Sequence, residues 1–497
     1  MAVTAHRLSK SRFCYGVQCP RQLWWRVHER DAPELQPDAG LQAVFDRGHR
    51  VGALARERFP GGVLIEGEYW DAAGRVAKTK EALAAGAPVI FEAAFFEDGV
   101  FVAVDVLERR PREFVLCEVK STLDVKEPHL LDVAIQLHVL RAAGLSIRRA
   151  EVMHLSRDCS YPDLSNLFAR TDVMSEIKEL LVGIPHQIED LHRVIVGPLP
   201  DAEPGDRCLS PYECPFLARC NPPLPEHHVT TLHHITRKRA AALVAQGYET
   251  IHNLPADVRL SATAARQVRS VKSGKTLVAR RKLRAALAAI KLPVAFLDFE
   301  TINPAVPVWD GCHPYGVVAV QMSCHVVDGK KVVHYEFLAE GPGDPRLAMA
   351  EAVLHACDGA KTVVAYNAGF ERKRIEALAA AVPSQRKALH RICRRLVDLL
   401  PVVRDHVYHP AFGGHFGLKY VLPALCPGLG YDDLEIAEGG AASTALEALL
   451  LNQETIPPGE RPKLRQQLLA YCERDTLALV KLHARLLSMA RRRREEA

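Results

Sequence analysis

The run Val294-Ala295-Phe296-Leu297-Asp298-Phe299-Glu300-Thr301 constrains this chain most. It is apolar enough for a buried strand, yet it ends in two acids two residues apart. Side chains at i and i+2 on a strand share a face, so Asp298 and Glu300 are forced together. Like charges held that close are unfavourable unless a cation sits between them. Hard divalent cations take oxygen ligands of this kind. The plain alternative is a strand end with solvated acids. Two later stretches argue against it. Val363-Val364-Ala365-Tyr366-Asn367-Ala368-Gly369-Phe370-Glu371 reads as a buried strand, a turn and a helix start carrying an acid. Tyr471-Cys472-Glu473-Arg474-Asp475 sets Tyr471 and Asp475 four apart, on one face of a helix.

In that order, the three motifs resemble those of the DnaQ-like DEDD exonucleases of the RNase H-like fold, in the subclass with a tyrosine in the third motif. The resemblance covers about 200 residues. It implies that Asp298 bridges two metal ions, Mg²⁺ or Mn²⁺, with Glu300 and Asp475 completing the shell of the first. It implies that Tyr471 orients the attacking water. The family usually has Asp in the second motif, and this chain has Glu371, whose longer arm shifts the second ion by about one methylene. The chemistry implied is two-metal in-line hydrolysis at a 3′ end. His415 and Lys419, in a Gly-rich stretch, are either phosphate contacts or parts of an ordinary loop and helix start.

A second carboxylate pattern lies upstream. Val89–Phe96 and Val100–Leu107 read as strands joined at Glu97-Asp98-Gly99, with Asp105 near the end of the second. Phe114–Lys120 reads as a third strand, on which Glu118 and Lys120 share a face. A lysine beside a metal-bound water would favour the hydroxide; a plain Glu–Lys salt bridge is the competing reading. Gln136 follows on a helix read over Asp132–Ala143. An Asp, then a strand ExK, then a helical Gln resembles the RecB-like PD-(D/E)xK nucleases, and implies divalent ions at Asp105 and Glu118. Those members usually carry GxxxH on an early helix. Here the fourth residue after Gly48 is Gly52, and His49 is off register by three.

Thirteen cysteines are present. Most are scattered singly and read as small buried apolar residues. Cys19, in a Cys-Pro-Arg context, and Cys208, Cys214 and Cys220 bracket the upstream pattern. One early and three late cysteines around a nuclease core resemble the iron–sulfur RecB-like nucleases. The resemblance implies a structural 4Fe-4S cluster, with Zn²⁺ as the alternative four-thiolate guest. Cys14 competes with Cys19 for the first position.

The chain of 497 residues is too long for one core. It reads as a multidomain α/β protein: a PD-(D/E)xK restriction-endonuclease-like core over 1–222, a helical, helix-hairpin-helix-like linker over 223–290, an RNase H-like domain with a mixed central sheet over 291–490, and a basic tail over 491–497. The net charge of +5 is too mild to name a partner. Its distribution says more. From Val258 to Leu297 there is no acid, and Arg259, Arg266, Arg269, Lys272, Lys275, Arg280, Arg281, Lys282, Arg284 and Lys291 fall within that stretch. A basic run between two nuclease patterns reads as a phosphate-tracking surface, centred on Arg280, Arg281, Lys282 and Arg284; a solvated helix face is the alternative. Ser273-Gly274-Lys275-Thr276 imitates the end of a nucleotide-binding P-loop, but Arg269 stands where the loop needs glycine. The N-terminal residues lack an apolar signal region, and no run approaches the roughly 20 apolar residues of a membrane span, so a cytoplasmic location is expected.

The whole arrangement resembles a family of bacterial two-nuclease proteins. Its implied function is hydrolysis of DNA phosphodiesters at one or both sites, on a single strand or a free 3′ end. The alternatives are a ribonuclease acting on RNA 3′ ends, or a nucleic-acid-binding protein with an inactive N-terminal site.

Overall fold

A computed structural model describes residues 8–491 except 69, 222 and 432. The chain forms two compact units: residues up to Pro223 with Pro304–Gly316, and Leu224–Asn303 with residues from Val317 onward. Both are mixtures of helix and sheet, and among the described residues no helix is long and apolar enough to cross a membrane.

In the first unit, β1 (Leu8–Ser9) leads into helices α1 (Lys10–Gln18), α2 (Pro20–His28) and α3 (Ala39–Arg56). Then come β2 (Val63–Leu64), α4 (Ala72–Ala84), β3 (Val89–Glu97), β4 (Val100–Arg109), β5 (Phe114–Lys120) and α5 (Glu127–Ala142). The unit continues with β6 (Ile147–Leu155), β7 (Phe168–Asp172), α6 (Lys178–Val196) and the short α7 (Leu217–Cys220). The seven-stranded sheet runs β2-β3-β4-β5-β6-β7, with β1 also pairing β4. The pair β5–β6 is parallel and β4–β5 antiparallel, so the sheet is mixed. Its core fills with Val100, Val102 and Val104 from β4 and with Val133, Ile135, Leu137 and Leu140 from α5. Helix α5 is apolar around much of its circumference because its neighbours are sheet, α1 and α6.

The second unit begins with α8 (Arg237–Ala245), α9 (Ala262–Ser273), β8 (Leu277–Val278) and α10 (Arg280–Leu287). Next are β9 (Val294–Ile302), β10 (Val318–Asp328), β11 (Lys331–Leu338), α11 (Arg346–Ala356), β12 (Thr362–Ala365) and α12 (Gly369–Ala381). They are followed by α13 (Arg386–Arg395), β13 (Leu396–Asp398), α14 (Leu399–His406), β14 (Val407–Tyr408), α15 (Leu418–Leu425), α16 (Gly439–Leu451) and α17 (Arg461–Arg491). The five-stranded sheet has the order β11-β10-β9-β12-β13. Its β9–β10–β11 part is antiparallel, and β12 and β13 run parallel to β9. Alternation along β9 sorts its side chains. Ala295, Leu297 and Phe299 pack with α11, α12 and α13, while Val294 and Phe296 pack with α10 and with Leu479, Leu482 and Leu486 of α17. Asp298 and Glu300 continue the second set, so they face α17.

The expected strands are present, most within a residue or two of their expected ends. The expected domain boundaries need correction. The stretch 223–290 is not a separate all-helical linker: from Leu224 it belongs to the second unit, and β8 pairs with β14 in it. The segment Pro304–Gly316, expected in the RNase H-like region, belongs to the first unit. There Ala305 packs with Val51 and Leu155, Tyr315 donates its hydroxyl to the Ser121 carbonyl, and the His313 ring donates to the Cys159 carbonyl at 2.7 Å. No local pattern announces that excursion, because it is a loop whose partners lie about 150 to 190 positions away.

The P-loop imitation is a helix end. Gly274 terminates α9 in the left-handed region at φ 64°, with its N–H on the Val271 carbonyl. Gly414 is stricter: at φ 85°, a Cβ there would lie 1.9 Å from the Thr231 carbonyl oxygen. Residues 492–497, most of the expected basic tail, lie outside the described residues.

Candidate functional site

The second unit gathers Asp298 and Glu300 from β9, Glu371 from the first turn of α12, and Asp475 and Tyr471 from α17. Burial pushes Asp298 well above the ordinary carboxylate range, and Asp475, Glu300 and Glu371 push it further. Burial, with Asp475, lifts Glu300 to about 8. Burial lifts Glu371 to about 7, with Asp398 adding and a hydrogen bond shared with Asp298 opposing. Asp475 rises to about 6, again through burial, against the pull of Tyr431 and Lys419. Each of these shifts says that negative charge is concentrated where water cannot dilute it. Among the described residues, none of the four carboxylates is in an ion pair. The Oε2 atom of Glu371 is buried without a hydrogen-bond partner.

The four carboxylates, the orphaned oxygen and the raised proton affinities fit hard divalent cations. Asp298 and Glu300, together with the Cys472 thiol, bring ligand atoms within 4.8 Å of one another. Tyr471 is buried among Asp475, Glu300 and Asp298, which raise its phenol further. Two neighbours carry no signal in the three motifs. Tyr431 donates its hydroxyl to Asp475, and Cys472 is fully buried beside the cluster. Only tertiary packing selects Tyr431, because it comes from the loop after α15. Lys419 lies near enough to draw down both Glu300 and Asp475. His415 instead stacks on Tyr420, with ring centroids 4.5 Å apart.

The first unit brings Asp105, Glu118, Lys120 and Gln136 together, and adds Lys10 and Asp132. Gln136 donates to Glu118 Oε2 at 2.8 Å, and the Val119 N–H donates to Asp105 at 2.7 Å. Lys10 and Lys120 contact Glu118 Oε1 at 2.7 and 2.9 Å, and Lys120 also reaches Asp132. Burial alone would raise Glu118, but Lys10 and Lys120 outweigh it and hold the group far below the carboxylate range. Asp105 rises to about 7 through burial and Glu118. The sequence motif missed Lys10 because it comes from α1, more than a hundred residues before Glu118. His49 is exposed on α3.

The cysteines divide as the spacing suggests. Burial raises the Cys214 thiol to about 11, and Cys19, Cys208 and Cys220 all add to the shift, so the four are neighbours. Cys19 sits at the junction of α1 and α2, where Pro20 starts the second helix. Phe216, Trp25 and Cys214 pack in one apolar cluster, and the Cys214 N–H bonds to the Cys208 carbonyl at 2.8 Å. Cys14 is elsewhere: its thiol contacts Asp132 at 3.2 Å.

The basic stretch is partly committed to the fold. Arg280, Arg281 and Lys282 are exposed on α10, while Leu283 and Leu287 are buried. Arg284 donates to the Ala490 carbonyl at 2.9 Å, where it caps the end of α17. Arg266 bonds the Arg404 and Asp405 carbonyls, and Lys272 the Leu254 carbonyl. Of the four expected phosphate contacts, Arg284 is thus also tied to the fold.

Residues 295–417 match a family described as Domain of unknown function (DUF2779). The chain is also similar to the "Uncharacterized protein MG366 homolog" of Mycoplasma pneumoniae, 25% identical over 228 residues, which is 41% of this chain and 34% of the relative. The chain thus spans about a third of the length of the curated relative it matches.

Proposed function

We propose that the protein is a metal-dependent nuclease that hydrolyses DNA phosphodiesters, with 3′–5′ exonuclease activity at the carboxylate cluster of the second unit. The observation that carries this reading is the convergence of Asp298, Glu300, Glu371 and Asp475, none of them in an ion pair among the described residues. The strand order β11-β10-β9-β12-β13, with the first three strands antiparallel, supports an RNase H-like reading of this unit. Bound Mg²⁺ or Mn²⁺ would supply Lewis acidity for in-line displacement at phosphorus. The chain's own residues do the positioning. Asp298, Glu300, Glu371 and Asp475 would hold the ions. Tyr431 fixes the Asp475 carboxylate by donating to it. Tyr471 presents a neutral phenol to orient the attacking water. Lys419 supplies positive charge close to Glu300 and Asp475, where it could meet a phosphate.

In the first unit, the mixed sheet with Asp105, Glu118, Lys120 and Gln136 on neighbouring elements supports a PD-(D/E)xK, RecB-like reading. Cys19, Cys208, Cys214 and Cys220 would hold a 4Fe-4S cluster. Zn²⁺ is the alternative four-thiolate guest. We place the protein in a reducing cytoplasm, where its free thiols would persist. A second reading of the first unit has its own support. Lys10 occupies Glu118 as a built-in cation, which favours an inactive, nucleic-acid-binding site.

The deciding experiment compares matched DNA and RNA strands, labelled at the 3′ or 5′ end, with Mg²⁺ or Mn²⁺. Loss of 3′-end digestion in Asp298→Ala but not in Glu118→Ala is expected. Unchanged digestion in Asp298→Ala and Asp475→Ala would sink the assignment. Faster digestion of RNA would move it to the ribonuclease alternative.

A further inference from the structure

The α17 face of the second sheet carries a second ligand set beside the carboxylate cluster. His325 of β10 and His334 of β11 are cross-strand partners. Their rings stack with centroids 4.5 Å apart and planes 24° from parallel. Glu473, on α17, places a carboxylate oxygen 3.8 Å from His334 Nδ1. One nitrogen from each imidazole and one Glu473 oxygen all lie within 4.8 Å of one another.

Hydrogen bonds decide which nitrogens are available. The Thr476 hydroxyl donates to the Glu473 carbonyl at 3.2 Å, and a carbonyl can only accept. Thr476 has one proton, and in the arrangement where the Glu473 carbonyl takes it, the contacts with Ser323 at 2.7 Å and with His325 Nδ1 at 2.8 Å are accepted ones. Ser323 then gives its proton to Thr476 and accepts from His334 Nε2 at 2.9 Å. In that arrangement the Thr476–Ser323 chain orients both rings. It leaves lone pairs on His325 Nε2 and His334 Nδ1. A hydrogen-bond acceptor on the far N–H of an imidazole orients a histidine ligand.

We propose that His325, His334 and Glu473 form a binding site for one zinc-type transition-metal ion. Two imidazoles and a carboxylate suit Zn²⁺, Co²⁺ or Ni²⁺, whereas an all-carboxylate cluster suits Mg²⁺ or Mn²⁺. A tetrahedral ion with bonds near 2.0–2.2 Å separates its ligands by about 3.4 Å. The His334–Glu473 pair is already close to that spacing. Both side chains are partly exposed, at 23% and 48%, and so are free to close on an ion. His325 is 5% exposed and provides the fixed point. Three protein ligands leave a position for water. The ion would tie the β10–β11 edge to α17, the helix that also carries Tyr471 and Asp475. The site does not depend on the nuclease reading.

The test uses the full chain, stripped of metal and kept reduced, dialysed against buffered Zn²⁺ and analysed for bound metal. His334→Ala and Glu473→Ala should each lose about one equivalent relative to the unaltered chain, because three ligands are the minimum for this ion. Asp298→Ala should retain it. Thr476→Val, which keeps the shape and removes the orienting hydroxyl, should weaken binding about tenfold or more. Circular dichroism checks that each variant is folded. With Co²⁺ as the probe, the lost component should show visible d–d bands without thiolate charge transfer. Equal uptake by His334→Ala, Glu473→Ala and the unaltered chain overturns the proposal. So does loss of the same equivalent in Asp298→Ala, which would put the ion in the carboxylate cluster. A thiolate band on the lost component would assign it to the cysteines and equally overturn the proposal.

Discussion

The two carboxylate sites solve the same electrostatic problem in opposite ways. In the second unit, four acids converge with no basic partner in contact, and their proton affinities rise to about 6 for Asp475, 7 for Glu371 and 8 for Glu300. In the first unit, Glu118 is as buried, yet Lys10 and Lys120 supply positive charge and depress it. One site is short of cations, and the other carries its own. The difference teaches that matching acid patterns need not mean matching metal demand: a lysine contributed from a distant helix can satisfy the charge that an ion would otherwise satisfy.

The comparison breaks first on activity. Asp298→Ala should reduce 3′-end digestion on the order of a thousandfold or more, equivalent to about 4 kcal/mol of barrier, whereas Glu118→Ala should leave that digestion near its original rate. Comparable losses from both would mean the sites do not work separately. Next comes the cysteine centre. Anaerobically purified protein should be brown and carry about four irons. Cys214→Ser should lose the colour, and Cys14→Ser should keep it; a colourless chain holding one zinc in the cysteines keeps the centre but removes the cluster.

A smaller effect tests the built-in cation. Lys10→Met, in an Asp298→Ala background that disables the other site, should raise Mn²⁺ affinity at the first unit by about tenfold, as expected when an ion no longer competes with an ammonium for a buried carboxylate. Titration calorimetry reads it. An unchanged affinity would leave Lys10 as a structural ion-pair partner, and the contrast between the sites would fail.

The pH dependence should also differ. Raised carboxylates bind protons more tightly folded than unfolded, so their contribution is fully present below about pH 4 and is lost as pH rises through about 6 to 8. Metal-free second unit should therefore lose stability over that range, and Mn²⁺ should restore it. Glu118 has the opposite sign: its contribution is present above the unfolded value near 4.5 and is lost as pH falls below it. Hydrogen exchange resolved by peptide, with and without chelator, separates the two. A second unit whose protection is flat from pH 5 to about 8 would contradict the charge accounting.

The smallest effect concerns α10. Neutralising Arg280, Arg281 and Lys282 should lower nucleic-acid affinity and reduce the log K against log salt slope by about 0.7 per lost contact on a single strand. Arg284 should be left in place, since it caps α17. An unchanged slope would make α10 a solvated face.

What the sequence determined by itself was local and periodic. Alternation put Asp298 and Glu300 on one face of β9, four-residue spacing put Tyr471 and Asp475 on one face of α17, and apolar runs marked the major strands. Cys208, Cys214 and Cys220 cluster in the sequence, whereas Cys19 joined them only through the family resemblance; in the fold Cys19 lies beside Cys214, and Cys14 contacts Asp132 instead. Tertiary structure alone decided what lies across from those faces. Lys10 on Glu118, Tyr431 on Asp475, Arg284 on the end of α17, and the transfer of Pro304–Gly316 to the first unit all join residues far apart in the chain. The pairing of His325 with His334 and Glu473 is of the same kind. The reason is physical: periodicity encodes which way a side chain points, whereas its partner is set by how elements close on one another, and no local pattern carries that information.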